Sequence, residues 1–309
     1  MGTSTTSNFT ASSSPTWHAD ARCFFRESGV SGAFDQVAVK DPSIVYSGGQ
    51  YHLFYTGATS AGAWQMGYAS AATISGLSSA KHVFLSKLSE SYFCAPEVFY
   101  YQPQSKWYMI YQDGKVGAAY ATTTNIADPA SWSGPHSLGV SGNTGWDYYV
   151  ICDDKYAYLF NSPSDGSKKI YCRKTTLANF PNGWGTPWVA VSNAYEGACV
   201  YKCLADSKYY LLVENDSDNR YYELWKASSL SGTWTQVADK WASQHNLSFN
   251  ADHWTDNVSH GELIRAGSNQ KLEINDINRV DFLIQGVVNG NYGDYVKIPW
   301  DLGVIHNYK

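Results

Sequence analysis

A unit of about fifty residues recurs along this chain, and that repeat limits its fold more than any other feature. Five segments share one pattern: a short apolar strand, a polar turn and a second apolar strand. They are KDPSIVYSGGQYHLFYTG from Lys40, CAPEVFYYQPQSKWYMIYQ from Cys94, WDYYVICDDKYAYLFNSP from Trp146, EGACVYKCLADSKYYLLVEN from Glu196 and SHGELIRAGSNQKLEINDINRVDFLIQG from Ser259. A third strand follows most of them (QMGYASA, GAAYATT, KIYCRKT, YYELWKA), then a loop marked by Trp or Gly such as PASWSG, NGWG or LSGTW. The aligned starts fall at Asp41, about Glu97, Asp147, Glu196 and His260, in steps of 56, 50, 49 and 64 residues. Apolar residues at helical spacing are scarce. Aromatic and β-branched runs bounded by Gly, Asn, Asp and Ser dominate, which is the strand signature. A repeat of this length with three or four strands per unit predicts an all-β, five-bladed β-propeller. A sandwich or a β-helix with chance similarity is the competing architecture.

The propeller reading has a chemical consequence. In that fold the first strand of every blade lines the central channel, so residues at the start of each first strand meet in one pocket. Here those positions hold Asp41, Asp147, Glu196 and His260. Acids are among the residues least often buried, so packing alone does not account for three of them at a repeat position. Paired carboxyl groups suit glycoside hydrolysis, where one protonated acid assists the leaving group and a second acts as base or nucleophile. The acid needs a raised pKa, which burial and a nearby like charge supply. A third carboxylate would tune and orient it. Lys40 reads either as a pocket residue or as a solvated rim lysine. Glu97, two residues past the aligned Ala95, reads as a further pocket acid or as the partner of a lysine, the second being favoured. His260 reads as a core histidine, a substrate donor or a metal ligand. Asp153 and Asp154 sit where a turn former is expected.

Composition narrows the class. The chain has 309 residues with 44% hydrophobic and only 16% charged, so it is globular. Its formal net charge of -5 argues against a duplex nucleic-acid partner, and no run of apolar residues is long enough for a transmembrane helix. Aromatics at 16% fit both strand content and stacking on sugar rings. The six cysteines include no C-x-x-C pair, which argues against zinc and leaves either one to three disulfides or free buried thiols. Sequons at Asn8, Asn215, Asn246 and Asn257 give slight support to secretion. Residues 1–16 read as a flexible polar leader, and residues 17–309 as a single propeller domain. No G-x-S-x-G elbow, phosphate loop or H-E-x-x-H occurs.

The motifs KDPSIVY with YHLFYTG, GWDYYVICDDKYAYLF with KIYCRKTTLANFPNGWG, YEGACVYK with YYLLVEN and LWKASSLSGTWT, and SHGELIRAG with FLIQG and YVKIPWDLGVI resemble glycoside hydrolase family 62. That family comprises α-L-arabinofuranosidases acting on arabinoxylan. The resemblance runs from about Trp17 to Ile305 and rests on the order and spacing of the motifs. It implies an inverting, exo-acting enzyme with Asp41 as general base, Asp147 as the modulator of pKa and Glu196 as general acid. It implies that Lys40 and Tyr295 hold the arabinofuranosyl ring, and that His260 lies near a structural calcium ion in the channel, coordinated by it and mostly by waters; Glu97 is taken with Lys40 and Tyr295 as a substrate-binding residue. It further implies a secreted monomer acting on plant cell-wall polysaccharide, arabinoxylan or arabinan, without nucleic acid or membrane. Pro42 and Ser43 after the first acid are closer to the related family 43, and Glu97 and Asp301 also depart from the family pattern. A family-43-like arabinanase or xylosidase, and a carbohydrate-binding propeller without catalysis, are the alternatives.

Overall fold

The computed structural model describes residues 9–19, 23–250 and 252–309. Five small sheets surround a central channel. Blade 1 is built from Ala38–Ser47, Gln50–Ala58, Trp64–Ala71 and Val83–Phe84. Blade 2 holds Phe93–Tyr101, Lys106–Asp113, Gly117–Thr123 and Ser133–Ser137, and blade 3 holds Gly145–Cys152, Tyr156–Pro163, Lys169–Thr176 and Trp188–Ser192. Blade 4 holds Glu196–Cys203, Tyr209–Asn215, Tyr221–Ala227 and Thr235–Ala242, with Glu273–Ile274 added in parallel to its innermost strand. Each run is an antiparallel meander, so the third strands read from the sequence fall where expected. The five-bladed propeller is the observed architecture.

The last blade is closed by the start of the chain. Its strands Ser259–Leu263, Asp281–Gly286 and Asp301–His306 are followed by Trp17–Ala19, which pairs antiparallel with the C-terminal strand (His18 opposite His306). Trp17 is fully buried there, with its edge on the Trp241 ring at 4.8 Å and its indole N–H on the Trp241 carbonyl at 2.7 Å. The expectation of a flexible leader over residues 1–16 falls in part on residues outside those described. Residues 9–16 are seated against the body: Ala11 is buried, and the Ser12 N–H donates to the Asn278 carboxamide at 2.7 Å.

One irregularity recurs in every inner strand. The pairing register breaks between Lys40 and Ser43, Cys94 and Glu97, Trp146 and Tyr149, Glu196 and Cys199, and Ser259 and Gly261. The first residue of the first four breaks lies in the left-handed region: Asp41 (φ 46°), Ala95 (φ 53°), Asp147 (φ 54°) and Gly197 (φ 65°). A β-bulge of this kind bends the strand and re-aims a side chain, and strained residues of this kind cluster at functional sites. The equivalent positions are therefore Asp41, Ala95, Asp147, Gly197 and His260. Glu196 stands one residue earlier, level with Lys40, Cys94, Trp146 and Ser259. This corrects the sequence alignment by one position in blade 4, while in blade 2 the bend falls on Ala95 as aligned.

Neighbouring blades are tied to one another through these inner strands. Ser43 Oγ accepts the Val98 N–H at 3.0 Å, Glu97 accepts the Val150 N–H at 2.6 Å, and Asp147 Oδ2 accepts the Gly197 N–H at 3.1 Å. The Tyr201 hydroxyl accepts the Leu263 N–H at 2.9 Å, and Glu262 accepts the Ile44 N–H at 2.6 Å. These five bonds run once around the channel. Arg265 sits among them, ion-paired to Glu262 at 3.0 Å and donating to the carbonyls of Ile44 (3.1 Å) and Val98 (2.8 Å).

All six cysteines are free thiols, and all but Cys23 are buried, so the disulfide alternative is not taken up. Three sequon asparagines have their carboxamides engaged inside the fold: Asn215 on the Asn193 carbonyl, Asn246 on the Trp241 carbonyl and Asn257 on the Val287 carbonyl. They offer no free acceptor for a glycan; Asn8 lies outside the described residues.

A buried pair broken on one side leaves an uncompensated charge, at a cost of about 3–5 kcal/mol. Arg265→Met is therefore expected to lower the unfolding free energy by that amount, read as a fall in the urea midpoint. Glu90→Ala, which breaks the exposed pair with Lys115 (side chains 90% and 65% exposed), leaves the midpoint in place. Equal midpoints for the two variants would show that the channel cluster does not hold the blades.

Candidate active site

The inner-strand bends open into a cavity of about 290 Å³ at one end of the channel, lined among others by Lys40, Asp41, Trp64, Trp146, Asp147, Glu196, Arg220, His260, Tyr295 and Trp300. The three acids expected from the sequence all reach it, as do Lys40, His260 and Tyr295. They arrive from blades 1, 3, 4 and 5 and the loop before the last strand.

Asp41 and Asp147 are alike in origin. Each is the left-handed residue of its bulge, and the bend turns its carboxylate off the strand face and into the pocket. The His260 ring lies between them, with Nδ1 at 3.5 Å from Asp41 Oδ1 and 3.7 Å from Asp147 Oδ1. Burial would lower the imidazole pKa, but Asp147 and Asp41 outweigh it and the net shift is upward. Asp147 is pushed up by burial, and Asp41 adds to this, while His260 opposes it. Lys40 is buried beside Asp41, with Nζ at 3.5 Å from its carboxylate and 4.0 Å above the centre of the Trp64 ring. It is thus a pocket residue, and the rim reading is set aside. Burial would lower its pKa, but Asp41 and other anionic neighbours hold the ammonium above its usual range.

Glu196 has a different setting. Trp146 Nε1 donates to its Oε2 at 3.1 Å, and Arg220 Nη1 donates to its Oε1 at 2.9 Å. Burial pushes this carboxyl up to about 7, with Asp147 and Glu214 adding to the rise and Arg220 opposing it. A carboxylic acid that keeps its proton near neutrality is what a general acid requires. Asp41 is flanked by two cationic groups, Lys40 and His260, and Asp147 adds to the field that favours the proton on Glu196.

Tyr295 is 48% exposed at the mouth, edge-on to Trp64 with ring centres 6.0 Å apart. Trp64, Trp300 and Tyr195 complete an aromatic wall suited to the faces of a sugar ring. Cys94 also lines the cavity, but burial pushes its thiol far above the usual range, which removes it as a nucleophile.

Glu97 does not reach this cavity. It is 2% exposed, two residues beyond the bend, so the strand carries it down the channel to accept the Val150 N–H. Burial holds its carboxyl well above the usual range, and its charged neighbour is Arg265, not a lysine. The substrate-binding expectation for Glu97 is corrected to a channel role. Beneath the site it lines a further cavity of about 10 Å³ with His260, Tyr149 and Glu262. That space holds about one water. Among the described residues no three His, Cys, Asp or Glu side chains are grouped to hold a metal ion. His260 faces the two aspartates, and a calcium ion beside it would take most of its six to eight ligands from water.

Arg220, Glu214, Trp64 and Trp146 were not singled out in the sequence. Arg220 lies in the polar loop before a third strand and Glu214 on a second strand, where a repeat of first-strand positions carries no signal. Trp146 was visible as the residue before Asp147 in GWDYY.

The comparisons agree with this geometry. Residues 30–306 match the description of glycosyl hydrolase family 62. The α-L-arabinofuranosidase C of Cellvibrio japonicus is 37% identical over 283 residues, which cover 87% of this chain but only 44% of that protein. The chain thus spans less than half the length of this curated relative. The catalytic domain of a family-62 α-L-arabinofuranosidase from Coprinopsis cinerea superposes with a TM-score of 0.87 at 33% identity, covering 95% of this chain and 97% of that one. The α-L-arabinofuranosidase from Podospora anserina, in complex with cellotriose, gives a TM-score of 0.87 at 31% identity, covering 97% and 98%. With matched residues from blade 1 to the final strand and the acids drawn into one pocket, the chain belongs to glycosyl hydrolase family 62.

Proposed function

We propose that this protein is an inverting, exo-acting α-L-arabinofuranosidase that removes arabinofuranosyl side chains from arabinoxylan or arabinan. The observation that carries the reading is Glu196, a carboxyl raised to about 7 in the same pocket as two further carboxylates. A cavity of about 290 Å³ suits one furanose ring and a water and not a run of main-chain sugars, which favours exo action. The complex of a relative with cellotriose supports a polysaccharide main chain lying across the mouth.

In this reading a water held by Asp41 attacks the anomeric carbon as Asp41 takes its proton. The bond from that carbon to the leaving oxygen breaks, and Glu196 delivers its proton to that oxygen. Asp147 stays charged and favours the protonated form of Glu196 before the reaction. Lys40 and Tyr295 bind the ring hydroxyls on the Trp64 side. The reading also makes the protein a secreted monomer, since its polymeric substrate does not enter cells and must reach an open pocket mouth.

Three outcomes are expected. Incubation with arabinoxylan or arabinan releases free arabinose and no oligomers, and proton NMR shows the β-anomer first. Oligomers as products would point to an arabinanase-like enzyme, and no release at all to a binding module. Glu196→Gln lowers turnover on polysaccharide by about 10²–10⁴-fold, the usual contribution of general acid catalysis, and less on an aryl arabinofuranoside whose leaving group needs no proton. Because Glu196 works protonated, kcat/KM is retained below about pH 7 and falls as pH rises through that value. A profile flat to pH 9 would remove Glu196 from the acid role.

A further inference from the structure

One carboxylate at the floor of the pocket has no part in the mechanism above. Glu214 is 1% exposed. Its Oε1 accepts from Arg220 Nη1 at 2.8 Å and from Ser259 Oγ at 2.8 Å, and its Oε2 accepts the His260 N–H at 2.8 Å. The same Arg220 nitrogen donates to Glu196 at 2.9 Å. Ser259 Oγ in turn accepts from Gln285 Nε2 at 3.1 Å, and Gln285 Oε1 takes the Asp41 N–H at 2.8 Å. An unbroken chain of hydrogen bonds therefore joins the acid to the backbone of the base.

The scaffold does not require a charge at this place. Opposite the residue before each inner-strand bend, the second strands carry Thr56, Gln112, Ser162, Glu214 and Gln285. Thr56 and Gln285 cap the bend amide of the following blade, at Ala95 and Asp41, as Glu214 caps His260. Neutral side chains perform that structural task in blades 1 and 5. Blade 4 alone places a buried carboxylate there, and blade 4 alone brings Arg220 to it.

We propose that Glu214 is a positioning residue that pins Arg220 along the flank of Glu196 and draws a share of the guanidinium charge away from the acid. Without it, Arg220 would pair with Glu196 alone and favour its ionised form. The groups facing Glu196 are Arg220, Asp147, Glu214, Tyr195 and the Trp146 indole, with Lys40 and Tyr295 across the pocket. Of these, only Arg220 and Glu214 share one hydrogen-bonding nitrogen with the acid. The proposal rests on Glu196 being the general acid.

The test is the pH dependence of kcat/KM on an aryl arabinofuranoside and on arabinoxylan. Glu214→Gln removes the charge and keeps one accepting oxygen, at the loss of one of the two acceptor positions that serve Arg220, Ser259 and the His260 amide. It is expected to move the alkaline limb to lower pH by about one unit, the low end of the effect of a nearby charge, while most of kcat survives at acidic pH. Arg220→Gln is expected to move the limb the other way, and this second variant serves if the first does not fold. If both variants lose turnover evenly across pH with the limb unmoved, Glu214 is only structural and the proposal fails. If the wild type has no limb near neutrality, or Glu196→Gln retains full activity, the assignment of the acid fails instead.

Discussion

The backbone amides that each inner strand leaves unpaired at its bend set the terms for the whole molecule. A buried N–H without a partner costs free energy, so nearly all are satisfied in folded proteins. Here the register breaks in all five inner strands, and the freed amides of one blade are taken up by side chains of another: Thr56 for Ala95, Asp147 for Gly197, Glu214 for His260 and Gln285 for Asp41. These cap bonds also tie neighbouring blades together, and one of them, from Gly197 to Asp147, belongs to the ring of bonds around the channel. Three of the caps, Asp147, Glu214 and Gln285, line the pocket as well, so packing and chemistry share atoms.

The electrostatics follow from that arrangement. Several charges are drawn into one desolvated space, and each is tolerated because an opposite charge faces it. Lys40 and His260 flank Asp41, Arg220 bridges Glu196 and Glu214, and Arg265 serves Glu262 one level lower. The upper layer is open to substrate and the lower layer is sealed. The difference between Glu196 and Glu97 lies in this layering: one carboxyl has a cavity beside it and donors on both oxygens, the other is sealed in the channel and holds a strand.

Much of the fold was legible because propeller blades repeat their hydrophobic pattern with the strands. The third strands QMGYASA, GAAYATT, KIYCRKT and YYELWKA were readable from alternation and turn residues alone. Asp41 and Asp147 were legible because bend residues recur at the repeat period. Glu196 was found at a position one residue off, since Glu-Gly in blade 4 replaces X-Asp and a bulge leaves no mark in the pattern. Glu97 misled for the same reason: two residues past a bend is a different level of the channel. Arg220 and Glu214 stayed hidden because they come from a loop and a second strand, and only the folded ring brings them to Glu196.

The closing of blade 5 by Trp17–Ala19 has a kinetic meaning. The strand it pairs with, Asp301–His306, lies at the far end of the propeller's sequence. Bringing such distant segments together costs entropy that grows only slowly with loop length, yet contacts of this range come late in folding. Asp41 and its cap Gln285 sit on opposite sides of the seam between blades 1 and 5. Until those two strands meet, blades 1 to 4 can form as separate meanders while Asp41 stands unaligned with Glu196, so a chain lacking either strand would carry all its carboxylates and no assembled pocket.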